Sequence, residues 1–229
     1  MSTSRIRAVL FDLDGTLVDS APDLVGTLND LRLARGFEPL PYADLRHHAS
    51  RGAMGLLSAG LPEFDDDALA VLRDEFIDRY RARLWQESQC FKGIEQALAA
   101  LSSAGLKLAI VTNKIESLAR PLVVQAGWHD WFQVLVAGDS TPRPKPDPGP
   151  IIEACRLLQV RPRDCVMIGD DERDVRSGNG AGAKTIVALW GYISPSDQPG
   201  QWGADRLIDR VEQLIEVIED LNQHKETLT

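Results

Sequence analysis

The stretch AVLFDLDGTLVDS, Ala8 to Ser20, ends an apolar run in an aspartate, Asp12, and places a second, Asp14, two residues later. The run from Ile6 to Phe11 reads as a strand buried on both faces, the habit of a parallel sheet. Comparable runs recur at Leu106 to Val111, Val134 to Ala137, Cys165 to Ile168 and Thr185 to Leu189. Helical patterns lie between them: Ile94, Leu98 and Leu101; Leu118, Leu122 and Val123; Ile151, Ile152, Cys155 and Leu158. Strand and helix alternation of this kind implies right-handed crossovers and a doubly wound α/β sheet.

The alternation breaks after Asp14. About 70 residues separate Pro22 from the next core element, far more than a simple connection needs. Leu24, Leu28 and Leu31 form one apolar stripe, and Leu69, Leu72, Phe76 and Tyr80 form a longer one within Asp66 to Trp85. The expected organisation is a core of residues 1–20 and 90–229 with an all-helical insertion over residues 21–89, set above the carboxyl end of the first strand. A last amphipathic helix is expected through Val211, Leu214, Ile215, Ile218 and Leu221, followed from Asn222 by a polar tail that should fray.

The chain of 229 residues, 44% apolar, is enough for one sizeable core. Its 25 basic and 34 acidic residues give a net charge of -9, which argues against nucleic acid or an anionic membrane as partner. A small anionic substrate stays compatible, because beyond about 8 Å the global charge is screened and local groups decide. The polar start MSTSRIR suggests no leader, and no run approaches the roughly 20 apolar residues of a span. A cytoplasmic monomer or homodimer is the expectation. Cys90, Cys155 and Cys165 form no CxxC pattern and read as reduced thiols, two of them in apolar stretches. His47, His48, His129 and His224 lack the spacing of a zinc site, and the five scattered tryptophans read as packing anchors.

In open α/β sheets ligands bind at the carboxyl ends of strands. The residues there are Asp12, Asp14, Gly15 and Thr16 after the first strand, Thr112, Asn113 and Lys114 after the second, and Asp170, Asp171, Glu172, Arg173 and Asp174 after the fourth. Past the third, TPRPKPDPGP carries Lys145 among prolines. Asp12, Asp14, Asp170, Asp171 and Asp174 cannot share one neighbourhood ionised without strong repulsion, which a hard cation such as Mg²⁺ would relieve. Lys145, Thr112 and the main-chain amides around Asn113, ahead of a helix, suit a phosphate. Asp12 is the natural nucleophile and Asp14, pointing to the same side, the acid and base; Gly15 lets the backbone turn without a side chain blocking the substrate.

DLDGTLVDS, VTNK, PKPDPGP and IGDDERDV, in this order and after successive strands, resemble the four signature motifs of the haloacid dehalogenase superfamily of aspartate-nucleophile phosphatases. The resemblance implies a Rossmann-like core, a mobile helical cap, and Mg²⁺ held by the Asp12 and Asp170 side chains and the Asp14 carbonyl. It further implies phosphoryl binding by Thr112 and Lys145, with Asp174 behind the ligands. Within the superfamily the chain is similar to the phosphoglycolate phosphatase-like branch. Softer markers, RGA at Arg51 to Ala53, GYI at Gly191 to Ile193 and WGAD at Trp202 to Asp205, resemble N-acetylmuramic acid 6-phosphate phosphatases. SGNGAG at Ser177 to Gly182 departs from the group, whose helix here more often carries alanines; the extra glycines cost helix stability.

The leading expectation is a Mg²⁺-dependent phosphomonoesterase acting on a small anionic metabolite, 2-phosphoglycolate or N-acetylmuramic acid 6-phosphate. Alternatives are a phosphosugar mutase of the β-phosphoglucomutase type and a silent phosphate-binding regulator; a dehalogenase needs no leaving-group acid and so no Asp14. Thr112 has a plainer reading as a helix cap. Asp171 has the plainer reading of loop solvation, and Arg51 either reads a substrate anion or is an exposed arginine of the cap.

Overall fold

The structure, a computed structural model, describes residues 5–223. The chain enters through β1 (Ala8–Phe11) and β2 (Val18–Asp19), then passes through α1 (Ala21–Leu33), α2 (Tyr42–Leu45), α3 (Gly52–Gly60) and α4 (Asp66–Arg83). It returns at β3 (Gln89–Cys90) and continues through α5 (Ile94–Ser103), β4 (Lys107–Val111), α6 (Glu116–Gln125), β5 (Val134–Val136) and α7 (Gly149–Leu158). The last part comprises β6 (Cys165–Gly169), α8 (Glu172–Ala181), β7 (Lys184–Ala188), β8 (Arg206–Ile208) and α9 (Leu214–Gln223).

Six strands form one sheet in the order β5-β4-β1-β6-β7-β8, every pairing parallel. This is the expected α/β architecture, with one strand that the sequence reading did not anticipate. β8 has three residues and lies at the edge with Leu207 exposed, so no apolar run marks it. β1 lies between β4 and β6, with Phe11 beside both Ile110 and Ile168. The order reverses at β1, which brings the loops after β1, β4 and β6 together at a crevice.

One apolar layer packs α5, α6 and α9 on the sheet through Leu98, Leu122 and Ile218; the other packs α7 through Ile151, Cys155 and Leu158. Ile152, grouped with that face in the sequence, is exposed instead. The inserted helices have a core of their own, with Leu24, Leu28, Leu31, Leu69, Phe76 and Tyr80 buried together, and Leu118 and Tyr192 joining from the sheet side. Where the chain leaves and returns, β2 and β3 pair antiparallel, Val18 with Cys90 and Asp19 with Gln89. Buried Asp23 ties this neck by accepting hydrogen bonds from the Glu87 and Ser88 amides at 3.0 and 2.9 Å. Cys155 and Cys165 are buried with Sγ atoms 3.3 Å apart, and all three cysteines are free. Among the described residues no helix is long and apolar enough to cross a membrane. The tail expected to fray from Asn222 begins instead within α9, which runs to Gln223, and Asn222 Oδ1 accepts from the Ile6 amide at 2.7 Å; the rest of that tail and His224 fall at residues 224–229, outside the described residues.

The glycines of SGNGAG do not shorten α8, which runs through Gly178 and Gly180 to Ala181 and stops at Gly182 with φ +79°. A Cβ on Gly178 would lie 2.5 Å from Thr185 Cγ2 and 3.2 Å from Met167 Cβ, so glycine there lets α8 lie close on β6 and β7. Gly180 has no such neighbour, its nearest being Pro148 Cβ at 3.4 Å. Gly180→Ala is expected to raise stability by about 0.5 to 1 kcal/mol while Gly178→Ala lowers it. Urea unfolding of the two variants checks this, and the same sign for both would show that the close packing does not require glycine at 178.

Candidate active site

Asp12 follows β1 directly, its amide donating to Ile168 O at 2.9 Å and its Oδ1 accepting from the Leu13 amide at 2.7 Å. Lys145 reaches it from the loop after β5. Its Nζ lies 3.0 Å from Asp12 Oδ1 and donates to Asp174 Oδ1 at 2.6 Å and to Val111 O at 2.7 Å. Burial works against charge on Lys145, but the carboxylates of Asp12 and Asp174 outweigh it and hold the ammonium above its ordinary range. The Asn113 side chain clamps the lysine backbone from both sides, donating to Lys145 O and accepting from Lys145 N, each at 2.9 Å. The Asn113 side chain is thus committed to the loop, which leaves main-chain groups for any contact with phosphate.

Asp170 is held by Thr16 Oγ1 on one oxygen at 2.7 Å and by the Tyr192 amide on the other at 2.8 Å. Gly15, at φ +81°, makes this possible: a Cβ there would lie 2.2 Å from Asp170 Oδ2. The space Gly15 keeps clear is therefore that of the Asp170 carboxylate. Carboxylate oxygens of Asp12, Asp170 and Asp174 lie within 4.8 Å of one another. Burial first, then the neighbouring Asp12 and Asp174 charges, push the Asp170 carboxyl well above its ordinary range; burial also pushes Asp174 up to about 7 against the pull of Lys145. Three hard oxygen donors so close, with only one lysine among them, fit a small divalent cation.

The Asp14 side chain lies outside that triangle. Its carboxylate accepts from Ser20 Oγ and from Lys114 Nζ, at 3.0 and 3.2 Å for the two Lys114 contacts. Thr112 is buried and accepts from the Lys114 amide at 3.1 Å. It does not cap the following helix: α6 starts later, after Ile115, and Asp139 accepts from the Glu116 amide instead. Asp171 does more than solvate its loop. It is the N-cap of α8 in a reciprocal box with Asp174, and it pairs Arg173 through both oxygens at 2.7 and 2.8 Å. The Arg173 guanidinium holds the Asp171 carboxyl low despite burial.

Asp12, Asp14, Thr112, Asn113, Lys145, Asp171 and Asp174 all border one chamber of about 230 Å³. Its roof comes from the inserted helices. Arg51 stands there at the start of α3, at the end of a short helical turn and not in a loop. Met54, Arg73, Phe76, Ile77 and Tyr80 belong to the same roof, and Leu118 lines the apolar side from the core.

Several residues of the site escaped the sequence reading. Arg73 carried a usable signal, since it precedes Phe76 and Tyr80 at helical spacings of three and seven on α4. Arg173 sits inside the last motif; its NH2 donates to Ser50 O of the insertion at 2.5 Å. Arg46 donates to Gly191 O at 2.8 Å and lies over the Tyr192 ring at 5.0 Å. Tyr192 OH accepts from the Ser20 and Ala21 amides at 2.7 and 2.9 Å, so GYI braces the neck. Nothing local marks these contacts.

Residues 9–188 match the family model described as haloacid dehalogenase-like hydrolase. The chain is 44% identical to a phosphoglycolate phosphatase of Xylella fastidiosa, covering 89% of each chain. It is 40% identical to the N-acetylmuramic acid 6-phosphate phosphatase of Pseudomonas aeruginosa, covering 96% of this chain and 97% of that protein. Its fold matches a crystal structure from Haemophilus somnus described as a predicted phosphoglycolate phosphatase, with TM-score 0.84 at 24% identity over 94% of this chain and 99% of that one. With its aspartates and lysine gathered at the carboxyl end of a parallel sheet, the chain belongs to the haloacid dehalogenase-like hydrolases.

Proposed function

We propose that this chain is a Mg²⁺-dependent phosphomonoesterase in which Asp12 takes the phosphoryl group. The observation that carries this is the Asp12 carboxylate on the chamber, 3.0 Å from the Lys145 ammonium, with Asp14 on the same chamber and Asp12 itself one corner of the triangle with Asp170 and Asp174. Asp12 attacks phosphorus while the bond to the leaving oxygen breaks, and Asp14 gives that oxygen its proton. Asp14 then takes a proton from water as it attacks the same phosphorus, which releases phosphate and restores Asp12. Lys145 and the amides after Thr112 hold the phosphoryl oxygens. The Asp12 and Asp170 carboxylates and the Asp14 main chain would hold the cation, with Asp174 keeping Lys145 in place; when bound, Mg²⁺ supplies positive charge to the phosphoryl oxygens. Residues 21–89 act in this reading as the cap that keeps bulk water from the chamber.

The two named relatives differ in substrate, and the chamber favours the larger one. Met54, Phe76, Ile77 and Leu118 give it an apolar side, and Arg51 and Arg73 give it charge. A two-carbon acid would leave the apolar side uncovered. N-acetylmuramic acid 6-phosphate brings two methyl-bearing substituents for that side and a carboxylate for an arginine.

Phosphate release with Mg²⁺ from 2-phosphoglycolate, N-acetylmuramic acid 6-phosphate, glucose 6-phosphate and β-glucose 1-phosphate, with an EDTA control, tests the proposal. Preference for the muramic acid ester, abolished by EDTA, is expected. Preference for phosphoglycolate would overturn the substrate reading, isomerisation of glucose 1-phosphate without phosphate release would indicate a mutase, and full activity in EDTA would remove the cation.

A further inference from the structure

The Lys114 side chain has no part in the mechanism above, yet its placement is specific. Its side chain is 7% exposed and its Nζ meets three atoms from two other segments: both Asp14 oxygens at 3.0 and 3.2 Å, and Tyr80 OH at 3.1 Å. Lysine is rarely buried unless paired, and this one is paired across the boundary between sheet and insertion. Asp14 belongs to the loop after β1, Lys114 to the loop after β4, and Tyr80 to α4 of the inserted helices, where it is buried. The Tyr80 ring also lies under the ammonium, 4.5 Å from its centroid. Asp14 Oδ1 is gripped by both Ser20 and Lys114, whereas among the described residues Lys114 alone reaches Oδ2.

We propose that Lys114, held by Tyr80, is the positioning residue for Asp14, so that the acid is placed for proton delivery only while α4 is docked on the core. The proposal rests on reading Asp14 as the acid for the leaving oxygen. A proton donor works only within hydrogen-bond reach of its target, and a free aspartate side chain samples several rotamers. Lys114 removes that freedom, and the Tyr80 hydroxyl conveys the position of the cap to it. Lys145, not Lys114, is the cation aimed at Asp12, so the two lysines divide phosphoryl binding from acid placement.

The test compares two esters of nearly equal shape, phenyl phosphate and 4-nitrophenyl phosphate, in single-turnover formation of the phenol with Mg²⁺. Nitrophenolate leaves without a proton, whereas phenolate, with a conjugate acid near pKa 10, needs one. Lys114→Met is expected to slow the phenyl ester about 100-fold and the nitrophenyl ester by less than about threefold, with Lys114→Arg recovering part of the loss. Tyr80→Phe, which keeps the ring and the packing, should move the ratio the same way by a smaller factor. Equal losses on both esters, or none on either, would overturn the proposal, as would a crystal structure of Lys114→Met with the Asp14 carboxyl unmoved. Wild-type protein inert toward both esters, or an Asp12→Asn variant as active as wild type, would overturn the phosphatase reading itself and this proposal with it.

Discussion

Asp12→Asn is expected to lower phosphate release by about 10⁴-fold or more while leaving the fold intact, because the amide cannot accept and return a phosphoryl group. The amide oxygen can still accept from the Leu13 N–H and from Lys145, and the side chain is only partly buried, so no packing is lost. Asp14→Asn should also abolish turnover of sugar phosphates, since it removes the proton for the leaving oxygen. Steady-state phosphate release with Mg²⁺, alongside circular dichroism, checks both. Unchanged activity in the Asp12 variant would end the mechanism proposed here.

Lys145→Met is expected to damage stability as well as activity. Lys145 is 3% exposed and is the ammonium between Asp12 and Asp174; removing it strands those carboxylates and should cost about 3 kcal/mol in the metal-free protein at neutral pH. The pH dependence has a definite sign. Burial raises the Asp174 carboxyl to about 7 in the folded chain, against an unfolded value near 3.9, so the folded state keeps a proton that the unfolded state has lost. Stability therefore falls as pH rises between about 4 and 7. Without Lys145 the folded value moves higher, and the penalty of the variant deepens between pH 6 and pH 8. Urea unfolding in EDTA at those two pH values measures it, and a loss independent of pH would show that stranded carboxylates are not its cause.

Much of the fold was legible because buried parallel strands are continuous apolar runs between turn signals. Five such runs became β1, β4, β5, β6 and β7. β2 and β3 have two residues each, too few for any periodicity, and three-residue β8, unlike the all-apolar β5 of equal length, begins with an arginine and exposes Leu207, so only pairing reveals them. The acids and Lys145 were legible for a related reason: they directly follow strands, stand in strand-connecting loops or, for Asp174, open the helix after β6, and the sheet brings strand ends together. Asn113 and Thr112 stand in the loop after β4 but have other partners than expected, because local sequence shows neither the lysine backbone that Asn113 clamps nor the later start of α6.

Taken alone, the amino-acid sequence determined the α/β class, the helical insertion, and the acids and lysine at the strand ends, because hydrophobic period and loop position are local properties. Only the tertiary structure decided which partners those groups meet. Lys114 and Asp14 are 100 residues apart, and Tyr192 and Ser20 are 172 apart. Their contacts depend on how the sheet orders its strands and gathers the loops at their ends, and a periodic stripe tells which face of an element is buried but not which side chain of another element will stand opposite it.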